Sequence, residues 1–318
     1  MLILVLAGLH MPVAATPIAA SILALERAAL MQVGPNPSPR GSSPLPIPRK
    51  RAPGETPAAV SAPSQEPSRF ARCVAAAKDD PAAGLAGARA WLTQSTKADA
   101  RFAAHRCLGV ILAQQGDFAE AETAFAASAA DAPAEQPAAK VPVLALAGSS
   151  ALRAGSAERA LSWFDQALAL KEGADEPTFG RVQADRARAL VALDRVAEAS
   201  TALDEAHRLA PENADGWLLS ATLARRGKDL ARAQADIETA ARLDPVDPAI
   251  GLEAGVIAVL GGRDEPARRS WESVVKLAPG SDEAKAAQNY LDQLGPKPAS
   301  PLPAAKAPSA NAEAEDEP

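Results

Sequence analysis

Aromatic residues, cysteines and histidines are scarce in this chain of 318 residues. Phe, Trp and Tyr together make up 3% of it, and there are two cysteines and three histidines, His10, His105 and His207. His105 and His207 have no nucleophile and carboxylate arranged around them as hydrolytic catalysis requires. Two cysteines without clustered histidines do not make a tetrahedral zinc site, and no glycine-rich phosphate loop is present. We therefore expect no enzymatic activity, no metal and no cofactor.

Positive charge is also in short supply, since the formal net charge is −6. The phosphate backbone of a nucleic acid binds proteins mainly through an excess of lysine and arginine. An acidic chain of this kind argues against nucleic acid as the main ligand.

Charged side chains are missing altogether from residues 2–25, which are rich in Leu, Val, Ile and Ala. A run of this kind predicts that residues 1–22 are a secretory signal peptide or, if uncleaved, a membrane anchor. No basic residue precedes the apolar run, which is atypical of a signal peptide. In both cases we expect the remainder outside the cytoplasm, in a bacterial periplasm, either released or anchored to the inner membrane. Any contact with a membrane would be made only by this segment.

Two further segments lack the periodic apolar residues of a folded core. Residues 23–67 are rich in Pro, Ala and Ser, and residues 296–318 alternate Pro with Ala before ending in acidic residues. Neither can bury enough apolar surface to offset the entropy of ordering its backbone. Both are predicted to be disordered, the first as a linker and the second as an acidic tail.

Between these segments the sequence repeats itself. Pro211, Pro245 and Pro279 stand 34 residues apart, and the residues between them align without a gap. Small residues recur at fixed places, as at Ala221 and Gly255, and a large residue recurs sixteen places later, as at Trp271. Small residues let two helices approach closely, the large one fills the space beside them, and the proline ends the second helix.

In this pattern residues 68–295 resemble the tetratricopeptide repeat family, whose unit is a helix–turn–helix of 34 residues. The resemblance implies an all-α fold, a right-handed superhelical solenoid of about six helix pairs. Ser281 is a suitable N-cap for a last helix that shields the apolar face of the final pair.

The resemblance also implies a concave groove lined by the first helix of each pair. The residues that align with the groove positions of the family are Arg106, Val110, Ser149, Arg153, Arg188, Leu218, Thr222, Arg225, Arg226, Leu252 and Val256. The set mixes guanidinium groups with apolar side chains, and arginine binds carboxylates in a bidentate manner. A protein or peptide segment with acidic and apolar side chains would suit such a groove.

Two functions follow from this interpretation. The first is a non-enzymatic adaptor or scaffold in the cell envelope that binds a peptide segment in the concave groove. The second is a structural or assembly protein that docks through its convex face or its ends, with no ligand in the groove.

The two cysteines also fall into the repeat, because Cys73 and Cys107 are 34 residues apart. They occupy equivalent places on the first helices of neighbouring pairs, and an oxidising compartment would allow them to bond. Neighbouring helix axes lie about 8–10 Å apart, however, and a disulfide needs Cα atoms within about 7 Å. The alternative is a pair of buried thiols that pack as small apolar residues.

Overall fold

The computed structural model describes residues 68–170 and 174–296. The predicted signal peptide, the linker and all but the first residue of the predicted tail lie outside the described residues. Within the described ranges every regular element is a helix, which confirms the all-α solenoid expected from the sequence. The thirteen helices of these ranges are α1 Arg69–Asp79, α2 Pro81–Gln94, α3 Ala98–Gln115, α4 Phe118–Ala130, α5 Pro137–Arg153, α6 Ala157–Ala169, α7 Glu176–Ala192, α8 Val196–Leu209, α9 Ala214–Arg226, α10 Leu230–Leu243, α11 Pro248–Leu260, α12 Asp264–Leu277 and α13 Asp282–Leu294.

Several helices begin at a side chain that caps the first turn. Ser68, Asp80 and Asp247 each accept a hydrogen bond from a backbone N–H of the helix that follows. Proline comes directly after both aspartates, where its fixed φ suits the first turn and its missing N–H is not needed. Ser281 caps α13 in the same way, through a 3.0 Å bond from the Ala284 N–H.

The turns inside successive pairs share one backbone feature, a residue with positive φ just after the first helix. These residues are Gly116, Gly155, Asp194, Lys228 and Gly262. Glycine adopts this left-handed conformation without a steric cost, whereas a side chain on Cβ makes it unfavourable. The turn geometry therefore repeats even in the two pairs whose sequence does not supply a glycine.

Within a pair, a large buried side chain lies against a glycine of the first helix. A Cβ atom added to Gly109 would lie 2.7 Å from the ring of Phe125, and one added to Gly148 would lie 2.5 Å from the ring of Phe164. In the last pair, the Cβ added to Gly255 would lie 2.1 Å from the indole of Trp271. These contacts confirm the small-and-large pattern read from the repeat, and they explain how two helices pack at close range.

The first helices of the pairs form one layer, and the second helices form another. Each first helix from α5 onward contacts the next one, and the series ends with the contact between α11 and α13. At the other end, α1 contacts α3. Among the described residues, the backbones of the second helices do not come as close to one another. A stack whose members lie closer together on one side curves toward that side, so the first helices line the concave face. We call them the inner helices and α2, α4, α6, α8, α10 and α12 the outer helices.

Candidate functional site

The candidate site is the concave face formed by the inner helices. At its N-terminal end, the guanidinium of Arg106 lies 4.0 Å from the ring centre of Phe70 and 5.5 Å from that of Phe102. Burial lowers the pKa of Arg106 below its usual value, and a cation over an aromatic face is held by the ring quadrupole. Arg106 therefore contributes to packing between α1 and α3 more than to an open basic surface.

The two cysteines meet at the same end. Cys73 of α1 and Cys107 of α3 are joined by a disulfide, and their Cα atoms lie 6.4 Å apart. Cys107 is fully buried, and the alanines Ala77 and Ala104 lie in the same cluster. Each Cα atom lies about 2.3 Å from its helix axis, so Cα atoms that face each other between axes about 8–10 Å apart come within the range that a disulfide needs.

The middle of the concave face is mostly uncharged. Leu146, Ser149 and Arg153 follow one another at helical spacing along one face of α5, and Leu146 is 39% exposed. Val110 lies on the preceding inner helix, α3, and is half-buried. The guanidinium of Arg153 is exposed and lies 3.9 Å from the ring centre of Phe118. Sequence reasoning did not include Leu146 among the groove residues.

The next inner helix carries a cation that is already paired. Arg188 of α7 donates from Nη1 to the carboxylate of Asp185, one turn earlier on the same helix. Burial raises the pKa of Asp185, although the neighbouring Arg188 opposes this shift. The charge of Arg188 is therefore largely balanced before any partner arrives.

On α9 the four predicted residues divide into two kinds. Leu218 and Thr222 are half-buried, and Arg226 is exposed. Arg225 is buried, and its Nε lies 2.6 Å from a carboxylate oxygen of Glu253 on α11. The arginine predicted to line the groove thus bonds two inner helices together, whereas its neighbour Arg226 remains at the surface.

Leu252 and Val256, the last two predicted groove residues, are covered by α13. Both pack in a cluster with Trp271 of α12 and with Ala284 and Ala287 of α13. The reason is topological, because α13 contacts α11 where a further inner helix would lie. The open part of the concave face therefore ends near α9.

Comparison with known proteins agrees with this geometry. The sequence profile of the tetratricopeptide repeat family matches residues 184–248 and 218–282. This chain is a tetratricopeptide repeat protein. Among curated proteins no sequence matches it.

Solved structures share the fold of this tetratricopeptide repeat protein at low sequence identity. TTC0263, a tetratricopeptide repeat protein of Thermus thermophilus, is 21% identical with a TM-score of 0.50, over 59% of this chain and 97% of that one. The pilF protein of Pseudomonas aeruginosa is 16% identical with a TM-score of 0.53, over 69% and 95% of the two chains. BtubC from P. vanneervenii is 18% identical with a TM-score of 0.50, over 74% and 98%.

A polar contact that the repeat pattern did not predict links two outer helices of this tetratricopeptide repeat protein. The buried carboxylate of Glu122 on α4 accepts hydrogen bonds from Arg159 and from the indole of Trp163, both on α6. Sequence periodicity gives no signal for this contact, because its members lie on the second helices of two successive pairs, 37 and 41 residues apart.

The two histidines of the described ranges, His105 and His207, take part in packing. Nε2 of His105 lies 3.7 Å from the carboxylate of Asp131, which also receives a double hydrogen bond from Arg101. Burial lowers the pKa of His105 in spite of that carboxylate. His207 lies face to face with Trp217, and burial lowers its pKa too. In the part of the chain that the structure describes, no group of three or more His, Cys, Asp or Glu side chains could hold a metal ion.

Proposed function

We propose that this protein is a non-enzymatic adaptor that binds a polypeptide segment of a partner along the open part of its concave face. The repeat family and fold support an interaction scaffold as such. One observation supports the choice of surface: the stripe on α5 that carries an exposed Leu146 followed by Ser149 and Arg153. A single exposed apolar residue is common at protein surfaces, but on α5 it shares one helical face with a hydroxyl and a guanidinium, which together can contact apolar and acidic side chains of a partner.

The side chains of this face favour a partner that is mainly apolar with a few carboxylates. Arg188 and Arg225 are already paired with Asp185 and Glu253, so they offer little net charge. Arg153 and Arg226 are exposed and make no ion pair within the described residues. They are the guanidinium groups available to bind carboxylates of the segment.

The test is site-specific crosslinking in cells. The photoreactive residue p-benzoylphenylalanine is placed at Leu146 or Thr222 on the inner helices, or at the exposed Val196 on the outer helix α8. We expect the two inner positions to crosslink to the same partner, and Val196 to give no such product. Crosslinking from Val196 alone would instead support docking through the convex face.

A second arm of the test uses charge reversal. Arg153→Glu/Arg226→Glu reverses the two exposed arginines of the predicted groove that make no ion pair within the described residues, and we expect it to abolish crosslinking from Leu146 because like charges would then face each other. The matched control is Arg242→Glu/Arg269→Glu, which reverses two exposed arginines of the outer helices α10 and α12. Retained crosslinking in the first variant, with its fold intact by circular dichroism, would contradict the role of these arginines.

We further propose that the protein is exported to the bacterial cell envelope. Two observations support this: the charge-free run of residues 2–25, and the disulfide between Cys73 and Cys107, a bond that persists in oxidising compartments. Among the described residues no helix is both long and apolar enough to span a membrane. Cell fractionation tests export, with thiol alkylation before and after reduction as the readout. Protein recovered with the cytoplasm and alkylated without reductant would contradict it.

A further inference from the structure

The helix pairs α9–α10 and α11–α12, which are the fourth and fifth pairs when counted from α3–α4, differ in one place where their first helices begin. In the fourth pair, the indole of Trp217 stacks on the imidazole of His207, with ring centres 3.6 Å apart and planes 8° from parallel. Its Nε1 donates a 2.8 Å hydrogen bond to the backbone carbonyl of Pro211. The two rings fill the space between the end of α8 and the start of α9.

In the fifth pair the same space holds almost no side-chain atoms. The residues 34 places after His207, Pro211 and Trp217 are Ala241, Pro245 and Gly251. All three line an open crevice of about 120 Å³ between the end of α10, the start of α11 and the C-terminal half of α12. The crevice is therefore the place that a stacked indole occupies one repeat earlier.

The protein's own neighbouring side chains fill only part of this crevice. Val274 stands where the fourth pair has the smaller Ala240, and a Cβ added to Gly251 would lie 2.6 Å from its Cγ2. The floor is apolar, formed with Ile250 and Ala254. A side chain at position 251 would displace Val274, but an aromatic ring of another molecule can enter from the open side of the crevice.

The rim of the crevice combines exposed apolar side chains with carboxylates. Leu277, which lines the crevice, is 51% exposed, and Val246, which lies in the chain between the lining residues Pro245 and Asp247, is 55% exposed. Asp244 and Asp247 line the crevice beside them. Large apolar side chains exposed next to a concave apolar surface are typical of interaction sites.

We propose that this crevice binds an aromatic side chain, above all the indole of a tryptophan, that a partner polypeptide carries next to a basic residue. The crevice is somewhat smaller than the cavity of roughly 150 Å³ that holds benzene, but it is open to solvent, so part of an indole enters it while the rest stays at the opening. The basic residue would lie against Asp244 and Asp247.

The ring comes from another polypeptide, because this chain has none to offer. Every Phe, Trp and Tyr residue of the sequence falls within the described ranges. The large apolar residues exposed there are Leu146, Val196, Val246 and Leu277, none of them aromatic. A second copy of the chain therefore has no exposed ring, and the undescribed segments contain none.

The crevice is separate from the concave face that we propose for the main partner. It opens at the edge of the solenoid where α10 ends and α11 begins, and outer helices form much of its wall. The two proposals can therefore be tested independently, since Arg153→Glu/Arg226→Glu changes no residue that lines the crevice.

The experiment is a titration of the full, ¹⁵N-labelled protein followed by nuclear magnetic resonance. The probes are indole itself, the peptide acetyl-Gly-Trp-Lys-amide and the matched peptide acetyl-Gly-Ala-Lys-amide. We expect indole and the tryptophan peptide to cause saturable shifts of the amide signals of Gly251, Ser270 and Val274. The alanine peptide should bind at least about tenfold more weakly, because a buried aromatic anchor carries most of the affinity of such a contact.

A variant that transfers the fourth pair's residues closes the crevice. Ala241→His/Gly251→Trp/Val274→Ala places the His207, Trp217 and Ala240 arrangement in the fifth pair, and we expect it to abolish the shifts. The reciprocal variant His207→Ala/Trp217→Gly/Ala240→Val opens an equivalent crevice in the fourth pair and should create a second set of shifts. Circular dichroism and thermal melting check the fold of both variants.

Three results would overturn the proposal. The first is unchanged shifts in the folded variant that closes the crevice. The second is a tryptophan peptide that binds no better than the alanine peptide. The third is binding of indole without binding of the tryptophan peptide, which would assign the crevice to a small aromatic molecule instead of a polypeptide.

Discussion

The two ends of the solenoid are held in place by different kinds of bond. At the N-terminal end α1 has eleven residues, of which only Ala77 is buried, and a disulfide joins it to α3. At the C-terminal end α13 has no covalent link to its neighbours in the described residues. It is held by an apolar cluster around Trp271, where Tyr290 packs with its ring 5.1 Å from the indole.

The difference follows from how much apolar surface each end helix can bury. The last element of a solenoid contacts neighbours on one side only, so it has fewer contacts than an internal helix. α13 compensates with Ala284, Ala287, Leu291 and Leu294 on one face. α1 packs Phe70, Val74 and Ala77 against its neighbours, with only Ala77 fully buried, and the disulfide stabilises it further by restricting the unfolded chain. One end is therefore sensitive to a reductant and the other is not.

The largest effect is expected from a substitution in the apolar cluster that holds the C-terminal end. Trp271→Ala removes a fully buried indole, and replacing a buried tryptophan by alanine destabilises a protein by about 3–5 kcal/mol. Urea unfolding measures the loss, and hydrogen exchange should show that α13 loses protection first. Trp217→Ala is the control, since its half-buried indole should cost less. Equal losses in the two variants would contradict a special role for Trp271.

A smaller effect is expected when the covalent link of the N-terminal end is broken. Cys73→Ala/Cys107→Ala, or reduction of the wild type, should cost about 2–4 kcal/mol. Hydrogen exchange should become faster in α1 while α13 keeps its protection. The informative control is reduction of the double variant, which should change nothing. Faster exchange at both ends upon reduction would show that the disulfide does not act locally.

The smallest effect compares the turns inside the pairs. Three of these turns use Gly116, Gly155 and Gly262, whereas Lys228 adopts φ 64° in the fourth pair. A residue other than glycine in the left-handed conformation costs about 1–2 kcal/mol of stability. Glycine avoids this cost, but its greater freedom in the unfolded chain offsets part of the benefit. We expect Lys228→Gly to stabilise the protein by about 0.5–1 kcal/mol.

Asp194→Gly is the comparison for that substitution, because Asp194 has φ 58° at the equivalent turn. Aspartate enters the left-handed region more readily than lysine does, so its replacement should stabilise less. Thermal melting measures both changes. A larger gain at Asp194 than at Lys228 would contradict this explanation of the turns.

The parts of the fold that repeat were predictable from the sequence, because each of them recurs at one spacing. The glycines and large residues such as Gly255 and Trp271 lie where the 34-residue alignment puts them in contact. Ser281 was identified as an N-cap for the last helix, and its side chain caps α13. These features depend on local rules that one sequence is enough to reveal.

The candidate site was less predictable, because its properties depend on which side chains meet across helices. Nothing in the sequence marks Arg225 as the buried partner of Glu253, 28 residues away, while Arg226 stays exposed. Leu252 and Val256 have suitable positions for a groove, yet α13 covers them. The charge and length of the open face follow from these contacts and not from the positions alone.

The disulfide between Cys73 and Cys107 also has a mechanical consequence. It closes a ring over a sequence separation of 34 residues, and a fully extended chain spans at most about 3.3–3.6 Å per residue. A protein pulled from its two ends would therefore extend by roughly 110 Å less when oxidised than when reduced. In a single-molecule force experiment, a thiol reductant would make this hidden length appear as added extension at the N-terminal end alone.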